Sequence, residues 1–348
     1  MIQRIITLQL CPLGDTLFGT PAIRALREHY PQAELVAITW KTNQAVLAGN
    51  KAVDRIVSVK STLAAIRALR QLERERVDLA VGLSHGGSAL LIFSRAPKKV
   101  GFNSQYLGWI YQEDVPDRRN IHAVEYCLNV LAPLGIEPQG QCKLEFYYTD
   151  RDLDAAKSFL GDSHGYPVVA IHPGGRFFPV KRWRTGGFAK VADYLMGTLK
   201  AKVVLVGGKD DEELALEIAA KMKHQPLMAA GRTSLKETAA IISLADLFVG
   251  NDSAPQHLAA AVGTPVVALF GPTDPNNFYP WGVPHRIVRC ELSCSPCFHW
   301  LGSPMQYFPT WDNPTCQREC MQSISPQDVV DKIDELWQEL IGRTGTKV

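Results

Sequence analysis

The chain has 348 residues, 46% hydrophobic and 21% charged, with 37 Lys and Arg against 35 Asp and Glu for a formal net charge of +2. That length suits two cores better than one, the composition is that of a globular protein, and so even a charge balance excludes a nucleic-acid partner recruited by bulk charge. No apolar run approaches the roughly 18 residues a membrane span needs, and MIQRIITLQL leads straight into a strand pattern without a cleavage signal, so a cytoplasmic protein is expected.

Taken in order, residues 2–10 read as a strand, followed by the turn Cys11-Pro12-Leu13-Gly14-Asp15-Thr16 and one amphipathic helix to about His29. Further strands are expected at 35–39, 53–59 and 78–83, with a helix to Glu75 that carries Arg67, Arg70, Arg74 and Arg76. The last of these strands ends in the polar, glycine-rich Ser84-His85-Gly86-Gly87-Ser88. A helix at 150–160 and the turn 161–167 are expected to link to a second α/β set. Its strands fall at 168–172, 203–206, 247–249 and 266–270, with helices starting at Gly187, Asp211 and Ser234. Strand and helix alternate throughout, which predicts parallel sheets covered on both faces. The expected architecture is thus two doubly wound parallel-sheet domains, 1–160 and 165–324, facing each other across a cleft. The final helix, 325–341, is expected to fold back onto the first domain. Ligands of such sheets bind beyond the C-terminal strand ends, where Asp15 and His85 would both lie.

Residues 245–275 form the most informative stretch. A short apolar run ends at Gly250, three helix-cap candidates follow (Asn251, Asp252, Ser253), and an alanine-rich helix is closed by Gly263 before the next strand. The exposed N–H groups at that helix start make a cradle for phosphate. His257, four residues after Ser253, falls on the same helix face.

Four other groupings carry candidate chemistry. Asp15 either caps its helix or serves as a general base toward a substrate hydroxyl, and His85 is a weaker candidate for the same work. The strand ending at His172-Pro173-Gly174-Gly175 lets backbone approach a ligand, with Lys181 and Arg182 close enough to neutralise a diphosphate. In Gly207-Gly208-Lys209-Asp210-Asp211-Glu212-Glu213 the acidic run suits a helix N-terminus, and one carboxylate could accept from a ribose diol. No GxGxxG occurs, which argues against a nicotinamide dehydrogenase. The chain has eight cysteines. Without an oxidising compartment they are read as thiols or metal ligands, and Cys294, Cys297, Cys316 and Cys320 approach a four-thiolate zinc spacing, with plain thiols as the competing reading.

Together these residues resemble the bacterial heptosyltransferases of glycosyltransferase family 9. The similarity runs nearly end to end. It is carried by Gly14-Asp15 with Thr20-Pro21-Ala22, by His172-Pro173-Gly174 with Lys181 and Trp183, and by Asp252-Ser253 with His257-Leu258-Ala259-Ala260 and Gly271-Pro272-Thr273. The resemblance implies a GT-B fold and an inverting, metal-independent transfer of heptose from ADP-L-glycero-D-manno-heptose to the inner core of lipopolysaccharide. It implies Asp15 as the base that activates the acceptor. On the donor side it implies Lys181, Gly174, Gly175, Asp252, Ser253, Ala254 and His257 around the diphosphate, Glu212 (with Glu213 next) at the ribose, and Thr233 at the adenine. No cofactor is implied beyond the structural zinc considered above. The acceptor is anionic and membrane-embedded, so Arg67, Arg70, Arg74, Lys98 and Lys99 become candidates to dock it or the inner leaflet, with a peripheral location at the inner membrane; a solvated arginine face is the competing reading. Two departures stand out: Ala254 where the family usually has glycine, and Arg184 where it commonly has proline. A nucleotide-sugar 2-epimerase of the same architecture and a non-catalytic sugar-nucleotide sensor remain as alternatives.

Overall fold

The computed structural model describes residues 2–102, 121–137, 142–162, 165–175, 179–297 and 318–344. The chain divides into two compact units, Met1–Tyr147 and Tyr148–Val348.

The first unit is built on β1 (Arg4–Gln9), β2 (Glu34–Trp40), β3 (Arg55–Val59), β4 (Leu79–Gly82) and β5 (Lys98–Gly101). All neighbours pair in parallel, in the order β3-β2-β1-β4-β5. The helices are α1 (Leu13–Phe18), α2 (Thr20–His29), α3 (Gln44–Leu47), α4 (Thr62–Leu72), α5 (His85–Leu90) and α6 (Ala123–Asn129). Ile6, Leu8, Val36 and Ile38 from the sheet pack with Leu69 and Leu72 of α4. The single helix expected after β1 is broken at Gly19. There a side chain has no room, since a Cβ would lie 1.9 Å from the amide nitrogen of Gln9, and that amide donates to the Thr16 carbonyl at 3.3 Å. Ser84 to Ser88, read from the sequence only as the polar, glycine-rich end of a strand, form the cap and first turn of α5. Ser84 caps it by accepting from the Gly87 N–H.

In the second unit the strands are β6 (Val168–His172), β7 (Lys202–Leu205), β8 (Leu227–Met228), β9 (Leu247–Asn251), β10 (Val266–Phe270) and β11 (His285–Arg289), all parallel in the order β11-β10-β9-β6-β7-β8. The strands from β6, β7, β9 and β10 are continuous apolar runs because helices cover both faces. Those helices are α7 (Asp150–Leu160), α8 (Thr185–Gly197), α9 (Glu212–Lys221), α10 (Leu235–Ser243), α11 (Ala254–Val262), α12 (Pro275–Phe278), α13 (Glu319–Gln322) and α14 (Pro326–Thr344). The segment expected to be a linker at 150–160 is α7, which packs against α10 and so belongs to this unit. The final helix also differs from expectation. It was expected on the first domain, yet Val329, Val330, Ile333 and Leu336 join the second unit's core and α14 lies against α8, β10 and β11. Its apolar stripe was readable in the sequence; which surface it covers was not. Among the described residues no helix is long and apolar enough to cross a membrane.

In both sheets the strand order reverses once, between β1 and β4 in the first and between β6 and β9 in the second. Parallel sheets open a crevice at such a point, beyond the carboxyl ends of the strands.

Candidate functional site

The crevice of the second unit gathers most of the residues singled out on that half of the chain. Its anchor is Asp252, which follows β9 and is 4% exposed. One carboxylate oxygen accepts from the Lys181 ammonium at 2.7 Å and from the Thr273 hydroxyl at 2.6 Å; the other lies 3.8 Å from Nε2 of His257 and 3.4 Å from the Gln256 amide. Burial on its own would raise this carboxyl, but Lys181, His257 and the Thr273 hydrogen bond outweigh it and hold it below the ordinary carboxylate range. Lys181, expected as a free phosphate clamp, is therefore already partnered by a carboxylate. The pair is nearly neutral as a unit, and fixed donors must supply much of the attraction for a second anion.

Those donors are at the start of α11. Ser253 is its N-cap, with extended backbone, but its side chain makes no capping bond. Pro255 stands in the first turn and has no N–H. The Ser253 hydroxyl instead lies 3.1 Å from Nδ1 of His172, at the end of β6, and 3.1 Å from the Asn251 carbonyl. Ala254, the departure from the family's glycine, opens the helix and is half-buried. His257 is on the face that the sequence indicated, but it is buried against Asp252 and is not presented outward.

Two residues that the sequence offered only as a cap candidate and as one of an acidic run hold this site together. Asn251 is fully buried. Its amide donates to the carbonyls of Pro173 at 2.7 Å and Gly174 at 3.1 Å, and its oxygen accepts from the Trp183 N–H at 3.2 Å. It therefore ties the glycine loop and the lysine-bearing segment to β9. Asp211 accepts from the Gly208 N–H at 3.0 Å and lies 3.4 Å from Nε2 of His172. Of the acidic run, it is Asp211 that turns into the crevice. Glu212, the expected ribose contact, lies under Gly231, where a Cβ would come within 3.0 Å of its carboxylate, and Glu213 is exposed. Thr233 donates to the Ala229 carbonyl at 3.2 Å and shares a hydrogen with Thr238 at 2.8 Å, next to the start of α10. Gly174 was expected to admit a ligand. Here the space it leaves is filled by the protein, since a Cβ would sit 2.0 Å from an Asp211 oxygen. Gly175 accepts from Arg182 at 3.2 Å. Arg184, the other departure, stacks over Trp183 and donates to the Gln322 carbonyl, tying α8 to α13.

In the first unit Asp15 lies in the first turn of α1, half-buried at the end of β1. Cys11 and Cys127 are buried, and their thiols are pushed up first by burial and then by nearby charge, from Asp15 for Cys11 and from Cys11 and Asp15 for Cys127. His85, exposed at the start of α5, lies 5.2 Å from Phe102 and 5.8 Å from Tyr126, which stack on each other at 4.2 Å. Arg67, Arg70 and Arg74 are exposed along or just beyond α4, and none of the ion pairs among the described residues involves them. Of the cysteine cluster, Cys294 is exposed, Cys297 half-buried and Cys320 buried; Cys316 lies outside the described residues. No group of three or more metal-ligating side chains occurs among the described residues, so the zinc reading has no support.

The model of glycosyltransferase family 9 (heptosyltransferase) matches residues 65–306. Lipopolysaccharide heptosyltransferase 3 of Escherichia coli strain K12 is 30% identical, over 94% of this chain and 96% of that protein. The chain belongs to glycosyltransferase family 9. A family 9 glycosyl transferase from Veillonella parvula superposes with a TM-score of 0.84 at 24% identity, covering 97% of this chain and 98% of that one. ADP-heptose lps heptosyltransferase II of E. coli gives a TM-score of 0.75 at 21% identity, with 97% and 99% covered. Both likenesses place the two sheets in the GT-B fold. Membership makes this chain a glycosyltransferase of the heptosyltransferase family and disfavours the epimerase and sensor alternatives.

The buried His257 gives this family 9 member a readable acid response. Burial, and then the Lys181 charge, push its imidazole from the ordinary 6.5 down to about 4, with Asp252 opposing. Above pH 6.5 the group is neutral in folded and unfolded chains alike. Between 6.5 and 4 only the unfolded chain takes up the proton, so stability falls as pH falls through that window, by about 3 kcal/mol in all. Denaturant titrations at pH 7 and pH 4.5 should show this slope, and His257→Gln should flatten it. An unchanged slope in the variant would refute the assignment.

Proposed function

We propose that this chain transfers heptose from ADP-L-glycero-D-manno-heptose to the inner core of lipopolysaccharide, inverting the anomeric carbon and needing no divalent ion. The relatives are named for heptose transfer to lipopolysaccharide, and one for ADP-heptose. The observation that carries the reading is the start of α11, with its uncapped N-terminus, the Ser253 hydroxyl and the Lys181–Asp252 pair at one switch point. An ammonium has three donors. One of Lys181's holds Asp252, and another would reach a phosphate oxygen seated on the helix N-terminus. As the anomeric carbon–oxygen bond breaks, its electron pair goes to the diphosphate, where these groups stabilise it. The acceptor hydroxyl attacks from the opposite face and loses its proton to the Asp15 carboxylate.

Donor choice is tested by thermal-shift titration with ADP-, UDP- and GDP-sugars. Stabilisation by ADP-heptose and ADP alone is expected, and a preference for a UDP- or GDP-sugar would sink the reading. The exposed arginines of the α4 segment are proposed to meet the anionic acceptor at the inner face of the inner membrane. Sedimentation with vesicles containing anionic lipid should recover the protein at low salt and lose it at 0.5 M salt, by screening over about a Debye length. Replacing Arg67, Arg70 and Arg74 with Ser should abolish that recovery; undiminished binding would rule these residues out.

A further inference from the structure

We propose that His172 is a positioning residue that, braced by Asp211, sets the direction of the Ser253 hydroxyl at the start of α11. The inference rests on the reading that a diphosphate binds there.

Three strand ends of the second unit meet at this imidazole. β6 supplies His172 itself, 3% exposed. The loop after β7 supplies Asp211, and Ser253 stands two residues beyond the end of β9. Nε2 of the ring lies 3.4 Å from Asp211 and Nδ1 lies 3.1 Å from Ser253 Oγ, so the ring spans the gap between a carboxylate and a hydroxyl. Asp211 is itself fixed by the Gly208 N–H. Gly174 closes the bracket from the front, because a Cβ there would meet Asp211 at 2.0 Å and His172 Nε2 at 2.9 Å. Nothing in this packing requires histidine for bulk. The ring's two nitrogens are each matched to a polar atom on a different segment.

Ser253 is where the arrangement acts. An N-cap serine ordinarily accepts from the second or third N–H of its helix, and this one makes no such bond. Its orientation is set by its other neighbours. Nδ1 of His172 and the Asn251 carbonyl both lie 3.1 Å from Oγ, so these two neighbours fix the direction in which the serine hydroxyl faces. His172 thereby sets how the cap serine meets the leaving diphosphate, without touching the diphosphate.

The test is a double-mutant cycle on ADP affinity by calorimetry, with kcat and KM for donor measured alongside. Ser253→Ala is expected to weaken ADP by on the order of tenfold to a hundredfold, as for a hydrogen bond to a charged group. His172→Leu should cost a similar factor in the parent and nearly nothing in the Ser253→Ala background, since it acts through that hydroxyl. His172→Asn, whose amide reaches the Nδ1 position, should recover most of the affinity. Gly174→Ala, which displaces Asp211, should mimic His172→Leu with Ser253 present. If His172→Leu does not fold, the cycle is run with His172→Gln, which keeps a polar atom for Asp211 but not for Ser253. Equal losses in both backgrounds, or parental affinity in the His172 variants, would overturn the inference. A parent protein that binds no ADP would instead overturn the functional reading beneath it.

Discussion

Lys181→Ala is expected to destabilise the second unit by about 3–5 kcal/mol, because it strands the Asp252 carboxylate in a site that is 4% exposed. An exposed ion pair would contribute less than about 1 kcal/mol, so the size of the loss decides whether the pair is structural. With the Lys181 side chain 14% exposed and that of Asp252 5% exposed, it belongs to the buried class. Thr273 and His257 remain after the substitution, but a hydroxyl and a neutral ring do not replace an ammonium. The same change should abolish most turnover, so activity alone cannot separate folding from phosphate contact. The separation comes from Lys181→Met combined with Asp252→Asn, which removes both charges. Denaturant midpoints should recover most of the lost stability in that double variant, while ADP affinity stays low. Full additivity of the two single substitutions would show that the residues do not act as a pair.

How far the sequence reached can be seen at particular elements. β6, β10 and α7 fall where the sequence pattern placed them. Each is either an unbroken apolar run or a segment that stops at the Gly161 turn, signals that survive any tertiary context. The edges were illegible for the opposite reason. In β11, His285-Arg286-Ile287-Val288-Arg289, only Val288 is buried, and β8 has two residues, so neither offers a period to read. β5, Lys98-Lys99-Val100-Gly101, looked like a basic patch because its buried half is so short.

The candidate site divides the same way. Local signals (a strand end, a glycine pair, a cap serine) identified the loops that converge. What could not be read was which charge meets which. Lys181 and Asp252 are 71 residues apart and Asp211 and His172 are 39 apart, and a dipole argument favours every carboxylate in Asp210-Asp211-Glu212-Glu213 equally. Only packing chooses Asp211. Two opposite charges, Lys181 and Asp252, were expected at the same phosphate, and the fold pairs them with each other, so that the first also makes burial of the second tolerable.

On the first unit, Asp15 is the residue on which turnover should depend most. Asp15→Asn preserves volume and hydrogen-bonding shape while removing basicity, and it is expected to lower kcat by roughly 10²–10⁴-fold, the range for a positioned general base. Pro12, not Asp15, stands at the N-cap of α1. The near-isosteric amide should keep the carboxylate's shape there, so stability should change little. Donor affinity should also be preserved, because the nucleotide contacts proposed above all belong to the second unit. The competing role, an acid that merely favours the N-terminal dipole of α1, predicts another pattern: a loss of about 0.3–1 kcal/mol in stability and kcat within tenfold of the parent. Steady-state kinetics with ADP-heptose and a truncated acceptor, read beside a thermal melt, distinguishes the two. A base acting on the acceptor hydroxyl must also lose its effect when the proton is already gone. Turnover of Asp15→Asn should consequently rise with pH more steeply than that of the parent, and parallel pH profiles would place the base elsewhere.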